Sequence, residues 1–195
     1  MKKNFKITFI TPCFNRGADS SDHGMPEIRP ASIRGQLHWW YRLLGGTSEE
    51  ENLIFGHIGR GGAASKIIVR VKYGQCKMGD FPILPHKNGR ASAAKKAFAP
   101  GSGFELLISS RLGSLPESLE PKFYRALEAW LYLGALGLRC TRGGGNFTWE
   151  GQPTDIKTYQ DKVASFKLKT VFLKQVFPNA EDARKVICDT LADRA

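Results

Sequence analysis

Hydrophobic and polar residues alternate in three stretches of this chain and recur at helical spacing in two others. In residues 5–11 (FKITFIT), Phe5, Ile7 and Phe9 fall on one side and Lys6, Thr8 and Ile10 on the other, the period of a half-exposed strand, and Pro12 ends it. Residues 66–73 (KIIVRVKY) repeat the pattern more clearly, with Ile67, Val69, Val71 and Tyr73 opposed to Lys66, Ile68, Arg70 and Lys72. Residues 103–111 (GFELLISSR) predict a third strand. Between the first two, Pro30 stands just ahead of a helical stripe of Ile33, Leu37, Trp40 and Leu44, which Gly45 and Gly46 stop. After Pro121 the run KFYRALEAWLYLGALG is apolar on nearly every side, so the helix it predicts is buried on more than one face. The glycine-rich RCTRGGGNFTWEG then turns the chain into a short fourth strand.

The order strand, helix, strand, strand, helix, strand is the split βαβ arrangement. The predicted fold is therefore α+β: a ferredoxin-like (RRM-like) domain over residues 1–151, with a four-stranded antiparallel sheet and two helices on one face. Two amphipathic segments, one from Thr154 onward and one over 179–194, predict a C-terminal helical appendage at 152–195. The 13–29 stretch holds Gly, Asn, Asp, Ser and Pro and reads as a long loop, uncommon in a compact domain unless it has a task. Residues 75–102 read as an insertion without assigned structure, and no internal repeat is evident.

Composition narrows the class. With 195 residues, 42% hydrophobic and 24% charged, the chain supports one principal core, and no apolar run reaches the length that spans a bilayer. Lys6 and Thr8 break the apolar N-terminal stretch, so a secretory h-region is missing and a soluble, cytoplasmic protein is expected. Cys13, Cys76, Cys140 and Cys188 lie far apart with no paired spacing, which argues against structural zinc; no metal or cofactor is expected. Lys and Arg outnumber Asp and Glu by 29 to 18, a formal charge of +11, which favours a polyanionic partner. Membrane binding would concentrate that charge on one amphipathic helix, whereas here it is scattered over strands, loops and helices. Nucleic acid is the better match.

The candidate contacts follow from the same patterns. Arg34, His38 and Arg42 recur at i, i+4 and i+8 on a helix side away from the apolar stripe, where guanidinium forks suit phosphate. Trp39 also lies outside the stripe. The uncovered sheet face is expected to show Lys6, Ile10, Lys66, Arg70 and Lys72, a basic platform without the stacking aromatics of a base-reading domain, although such charges also guard against edge pairing. In the glycine-rich stretch, Gly143, Gly144 and Gly145 let the backbone approach a ligand with amides exposed, and Arg139 and Arg142 add charge beside them; flexibility alone is the competing explanation. The split βαβ topology draws Arg139 and Arg142 toward Arg29 and Arg34, with Glu27 the only nearby carboxylate, so an anion is expected among them.

In order, ITPCFNRGAD, PEIRPASIRGQLHWWYRLL, the IFG of residues 54–56, the SKIIVRV of 65–71 and LGALGLRCTRGGGNF are similar to the motifs of the RAMP superfamily of CRISPR proteins, and within it to the first subunits of Cmr, type III-B, modules. The resemblance covers about residues 6–147. It implies a ferredoxin-like fold, binding of CRISPR RNA or its target duplex, and neighbours within a multisubunit effector. It places the RNA near the first helix and the glycine-rich loop. Longer members of the superfamily carry a second ferredoxin-like domain after that loop, where this chain has a helical tail. Some members cleave RNA, which makes His38 or the loop carboxylates Asp19 and Asp22 alternatives for nuclease chemistry; His23, His57 and His86 show no partner spacing. The resemblance favours a non-catalytic role. A third possibility is an adaptor whose Trp39 and tail grip a neighbour without touching RNA.

Overall fold

The structure is a computed structural model that describes residues 2–17, 24–85, 94–111 and 115–192. Four strands form the main sheet: β1 (Lys2–Phe9), β2 (Ile67–Tyr73), β5 (Gly103–Ser110) and β6 (Phe147–Trp149), all antiparallel, in the order β2-β5-β1-β6. That order, with α1 (Pro30–Leu43) after the first strand and α3 (Glu120–Leu133) after the third, is the ferredoxin-like topology expected. The alternation explains the layering. Ile7, Phe9, Phe104, Leu106 and Ile108 point from the sheet into one core with Ile33, Leu37, Phe123 and Trp130 of the two helices.

Proline at the start of both helices fits positions whose N–H groups have no intrahelical acceptor. α3 stops earlier than its apolar run suggests, at Gly134, where the backbone turns extended (φ −86°, ψ 173°) and a Cβ would collide with the Trp130 indole. Helix α1 buries Tyr41 in addition to Ile33, Leu37 and Trp40, while Trp39 stays 53% exposed, edge-on to Trp40 at 5.0 Å between ring centres.

Two pieces differ from the expected layout. After Gly46 the chain starts a further helix, α2 (Ser48–Phe55), opened by a capping box in which the Thr47 hydroxyl accepts from the Glu50 N–H and Glu50 accepts from the Thr47 N–H. The 75–102 insertion holds a hairpin, β3 (Met78–Pro82) with β4 (Ala94–Phe98), which bridges to Cys13 through Phe98. The appendage is helical as expected. α4 (Ile156–Ser165) begins at the Asp155 cap and lies on α3, where Tyr159 donates to the Tyr132 carbonyl and Arg125 to that of Phe166. α5 (Ala180–Ala192) follows an extended connection and lies over the glycine-rich turn. No helix among the described residues is long and apolar enough to cross a membrane.

Candidate nucleic-acid interface

Each of the arginine-bearing segments has a definite place relative to the sheet. β1 ends at Phe9, β2 at Tyr73, and β5 and β6 begin at Gly103 and Phe147, so all four termini share one end of the sheet. Arg29, the N-cap of α1, sits at that end: Tyr73 Oη accepts the N–H of Ile28 and donates to its carbonyl. The turn of Arg139 to Gly145 sits there too, joined to the residues after β1 by the Phe14–Leu138 bridge and by the Gly145 N–H donating to the Pro12 carbonyl. The connecting chain ties the two together, since Asn15 accepts from Glu27 and Arg16 pairs with Pro26. Arg29 and Arg139 are exposed and Arg142 is half-buried. Topology therefore sets Arg29, Arg139 and Arg142 at the same end of the sheet.

Arg34, His38 and Arg42 do line one side of α1, but that side faces α2. Arg34 donates to the Phe55 carbonyl. His38 Nδ1 is bonded to Glu51 Oε1 and its ring stacks on Phe55 at 4.0 Å, while Arg42 Nε lies 3.3 Å from Glu51 Oε2. Glu51 of α2, a helix absent from the expected layout, is thus the carboxylate that meets His38 and Arg42 of this row. Arg34, five residues along α1 from Arg29, is thus engaged by the end of α2.

The glycines carry a second correction. Gly143, Gly144 and Gly145 are buried, and their amides donate within the protein, to the carbonyls of Cys140, Arg139 and Pro12. They are glycines for reasons of space and backbone angle. Gly145 has φ +66°, and a Cβ on it would overlap the Leu136 carbonyl oxygen; at Gly144 the obstacle is the Leu138 carbonyl, and at Gly143 the Arg184 side chain. The loop is not an amide cradle open to a ligand. What it presents is the flanking pair, with Arg139 itself left-handed at φ 61° and opening the short 3-10 turn Cys140–Arg142.

The uncovered sheet face carries Lys6, Arg70 and Lys72, all exposed, with no aromatic ring among the outward residues of β1, β2 and β5. Glu105 stands opposite both Lys6 and Lys72 in register, 3.8 Å from Lys72 Nζ, so the platform is weaker than a count of lysines suggests. Lys66 and Ile10 lie just outside their strands. Of the nuclease candidates, Asp19, Asp22, His23 and His86 lie outside the described residues, and His57 is an exposed residue bridged to Ala63.

Arg184 was invisible to the sequence pattern as anything but a residue of an amphipathic tail. It is 1% exposed, donates to the carbonyls of Pro82 and Ile83 and to Glu181, and lies 5.4 Å over the Phe14 ring. It pins α5 across the hairpin and the glycine-rich turn, and nothing in its spacing announces this.

A sequence profile of the RAMP superfamily matches residues 6–148. The chain is 27% identical over 180 residues to the CRISPR system Cmr subunit Cmr1-2 of Pyrococcus furiosus, covering 73% of this chain and 91% of that protein. Its fold is similar to the crystal structure of Cmr1 from Pyrococcus furiosus in the apo form, with a TM-score of 0.61 at 17% identity over 100% of this chain and 72% of that one. It is also similar to a chain in the cryo-EM structure of a type III-B Cmr-beta complex bound to cognate target RNA, with a TM-score of 0.58 at 19% identity over 76% of this chain and 58% of that one.

Proposed function

The chain belongs to the RAMP superfamily, and from that membership we propose that it is a non-catalytic, RNA-binding subunit of a type III-B CRISPR effector complex acting in the cytoplasm. Its RNA is CRISPR RNA or the duplex that this forms with a target, and its other partners are the remaining subunits of the complex. The reading is supported by the relative named as a Cmr subunit and by the Cmr-beta fold neighbour whose complex holds target RNA.

The observation that carries it is the shared rim: Arg29 at the start of α1 and Arg139 and Arg142 on the glycine-rich turn, held at one end of the sheet by the backbone bonds of residues 12–28. Guanidinium groups on a rim with no facing aromatic platform suit phosphate contacts along a strand rather than base readout. In this reading residues 1–151 carry the RNA surface, with Arg70 and Lys72 extending it over the sheet, and the 152–195 appendage braces the turn from behind. His38 stabilises the contact of α1 with α2 instead of moving protons, since Glu51 and Phe55 hold both its edge and its face.

The test is binding of CRISPR RNA to single-site variants. Arg139→Ala and Arg142→Ala each weaken binding by roughly 1–3 kcal/mol, the scale of a lost charge-assisted contact, with the fold retained. Parental affinity in both variants overturns the assignment of the rim.

A further inference from the structure

The main sheet has two edges, and they are treated differently. β6 is three residues long, too short to template another strand. β2 is a seven-residue edge with no proline, an open-edged strand of the kind that proteins ordinarily blunt. Its hydrogen-bonding parity follows from the pairs at its two ends. Arg111 N–H donates to the Lys66 carbonyl at 2.6 Å and Gly74 N–H to that of Gly103 at 3.1 Å, so the even-numbered residues turn their backbone groups toward β5. The odd-numbered residues turn theirs outward. Of these, Ile67 is satisfied by the Ser65 hydroxyl, which accepts its N–H and donates to its carbonyl. The backbone groups of Val69 and Val71 meet no partner among the described residues.

Alongside this edge runs a groove of about 540 Å³ between β2 and the first half of α1. Ile67 and Val69 give it an apolar floor, and Ala31 and Gly35 give it a low helical wall. A Cβ built on Gly35 meets nothing within 4 Å, so the space is open to a ligand's side chains. The charged and titratable groups lining it are Arg34, His38 and Arg111, with no carboxylate among the lining residues. Arg34 Nε is buried there without a hydrogen-bond partner, and Arg111 is exposed at the mouth.

We propose that this edge and groove receive an extended, acidic segment of a partner protein, which adds to β2 as a fifth strand, seats alternate apolar side chains between α1 and β2, and sets carboxylates against Arg111 and Arg34. Unpaired strand groups beside an apolar slot are the chemistry of β-strand addition. Charge selects the occupant. A second copy pairing antiparallel about Val71 would set Arg70 of each copy against Lys72 of the other, and a basic strand meets the same repulsion. The lining includes none of Arg29, Arg139 and Arg142, so the two readings fail independently.

Hydrogen exchange followed by NMR on the intact chain tests it, with a hexapeptide alternating glutamate and valine as probe. Saturating peptide slows exchange of the Val69 and Val71 amides at least tenfold, and the lysine–valine counterpart leaves them unchanged. Gly35→Leu fills the groove from a helix position with unstrained backbone, and Arg111→Glu reverses the charge at its mouth; each weakens peptide binding at least tenfold. Gly35→Leu leaves the thermal midpoint at or above that of the parent, since it replaces a mid-helix glycine, and keeps the affinity for oligouridylate. The inference is overturned if the acidic peptide leaves both amides unprotected, if the lysine peptide protects them equally, or if oligouridylate protects them, which would assign the groove to nucleic acid. Protection that grows with protein concentration in the absence of peptide assigns it to a second copy and overturns it as well.

Discussion

At the scale of single residues, the glycine-rich turn separates two roles that the sequence presents as one. Three consecutive glycines beside two arginines read as a ligand cradle, but the reason for the glycines lies in residues far away in sequence: the carbonyls of Leu136 and Leu138 and the side chain of Arg184. No local pattern encodes that crowding, so the glycines were legible as special and their purpose was not. Gly145→Ala, which adds steric overlap to a left-handed backbone, is expected to cost at least about 2 kcal/mol, measured by thermal or denaturant unfolding. Arg139 is the opposite case. It holds φ 61° with a side chain that contributes no cap, a conformation that glycine adopts more readily. Arg139→Gly should therefore raise stability by up to about 1 kcal/mol while weakening RNA binding, the pattern of a residue kept for its charge at some expense of stability. Loss of stability, or unchanged RNA affinity, would contradict that account.

At the scale of elements, alternation located three strands of the main sheet and helical spacing the first core helix, because those patterns arise from one face meeting one core; β6 is legible only from the glycine-rich turn before it, and α3 from a run apolar on nearly every side. The elements that escaped were those whose sequence says little about burial. The β3–β4 hairpin is built from Gly, Asp, Lys and Ala, poor strand formers held by pairing and by Phe98 against Cys13. α2 was legible in principle: Thr47 and Glu50 stand at capping-box spacing directly after the glycines that end α1. Missing it hid Glu51, and with it the partner of His38 and Arg42. This makes α2 the element that decides how much free charge α1 shows. Thr47→Ala is expected to cost about 1 kcal/mol of stability. It should also raise the hydrogen-exchange rates of the α2 amides above those of α1, and equal rates in the two helices would show that the cap is not what holds α2.

On the scale of the whole molecule, charge and topology act together. The 29 Lys and Arg side chains, eleven more than the carboxylates, include those of the rim, the open sheet face and the tail, and pairing with Glu51 and Glu105 leaves a smaller set of free cations to meet RNA. If three or four of these contact phosphates, affinity for single-stranded RNA falls by about 20- to 50-fold between 50 and 200 mM salt, on the usual counterion-release slope for single strands. A salt-independent affinity would move the interaction away from the arginine rim. The sheet order has a further outcome, on the ribosome. β1 is central and is made first, yet its partners β5 and β6 follow roughly a hundred or more residues later, a delay of about 5–20 seconds at ordinary rates of synthesis. For that interval Phe5, Ile7 and Phe9 lie on a nascent strand with neither neighbour yet made. Lys2 and Lys3 just before them and Lys6 between them are the charges that keep such a strand from pairing with another chain while it waits.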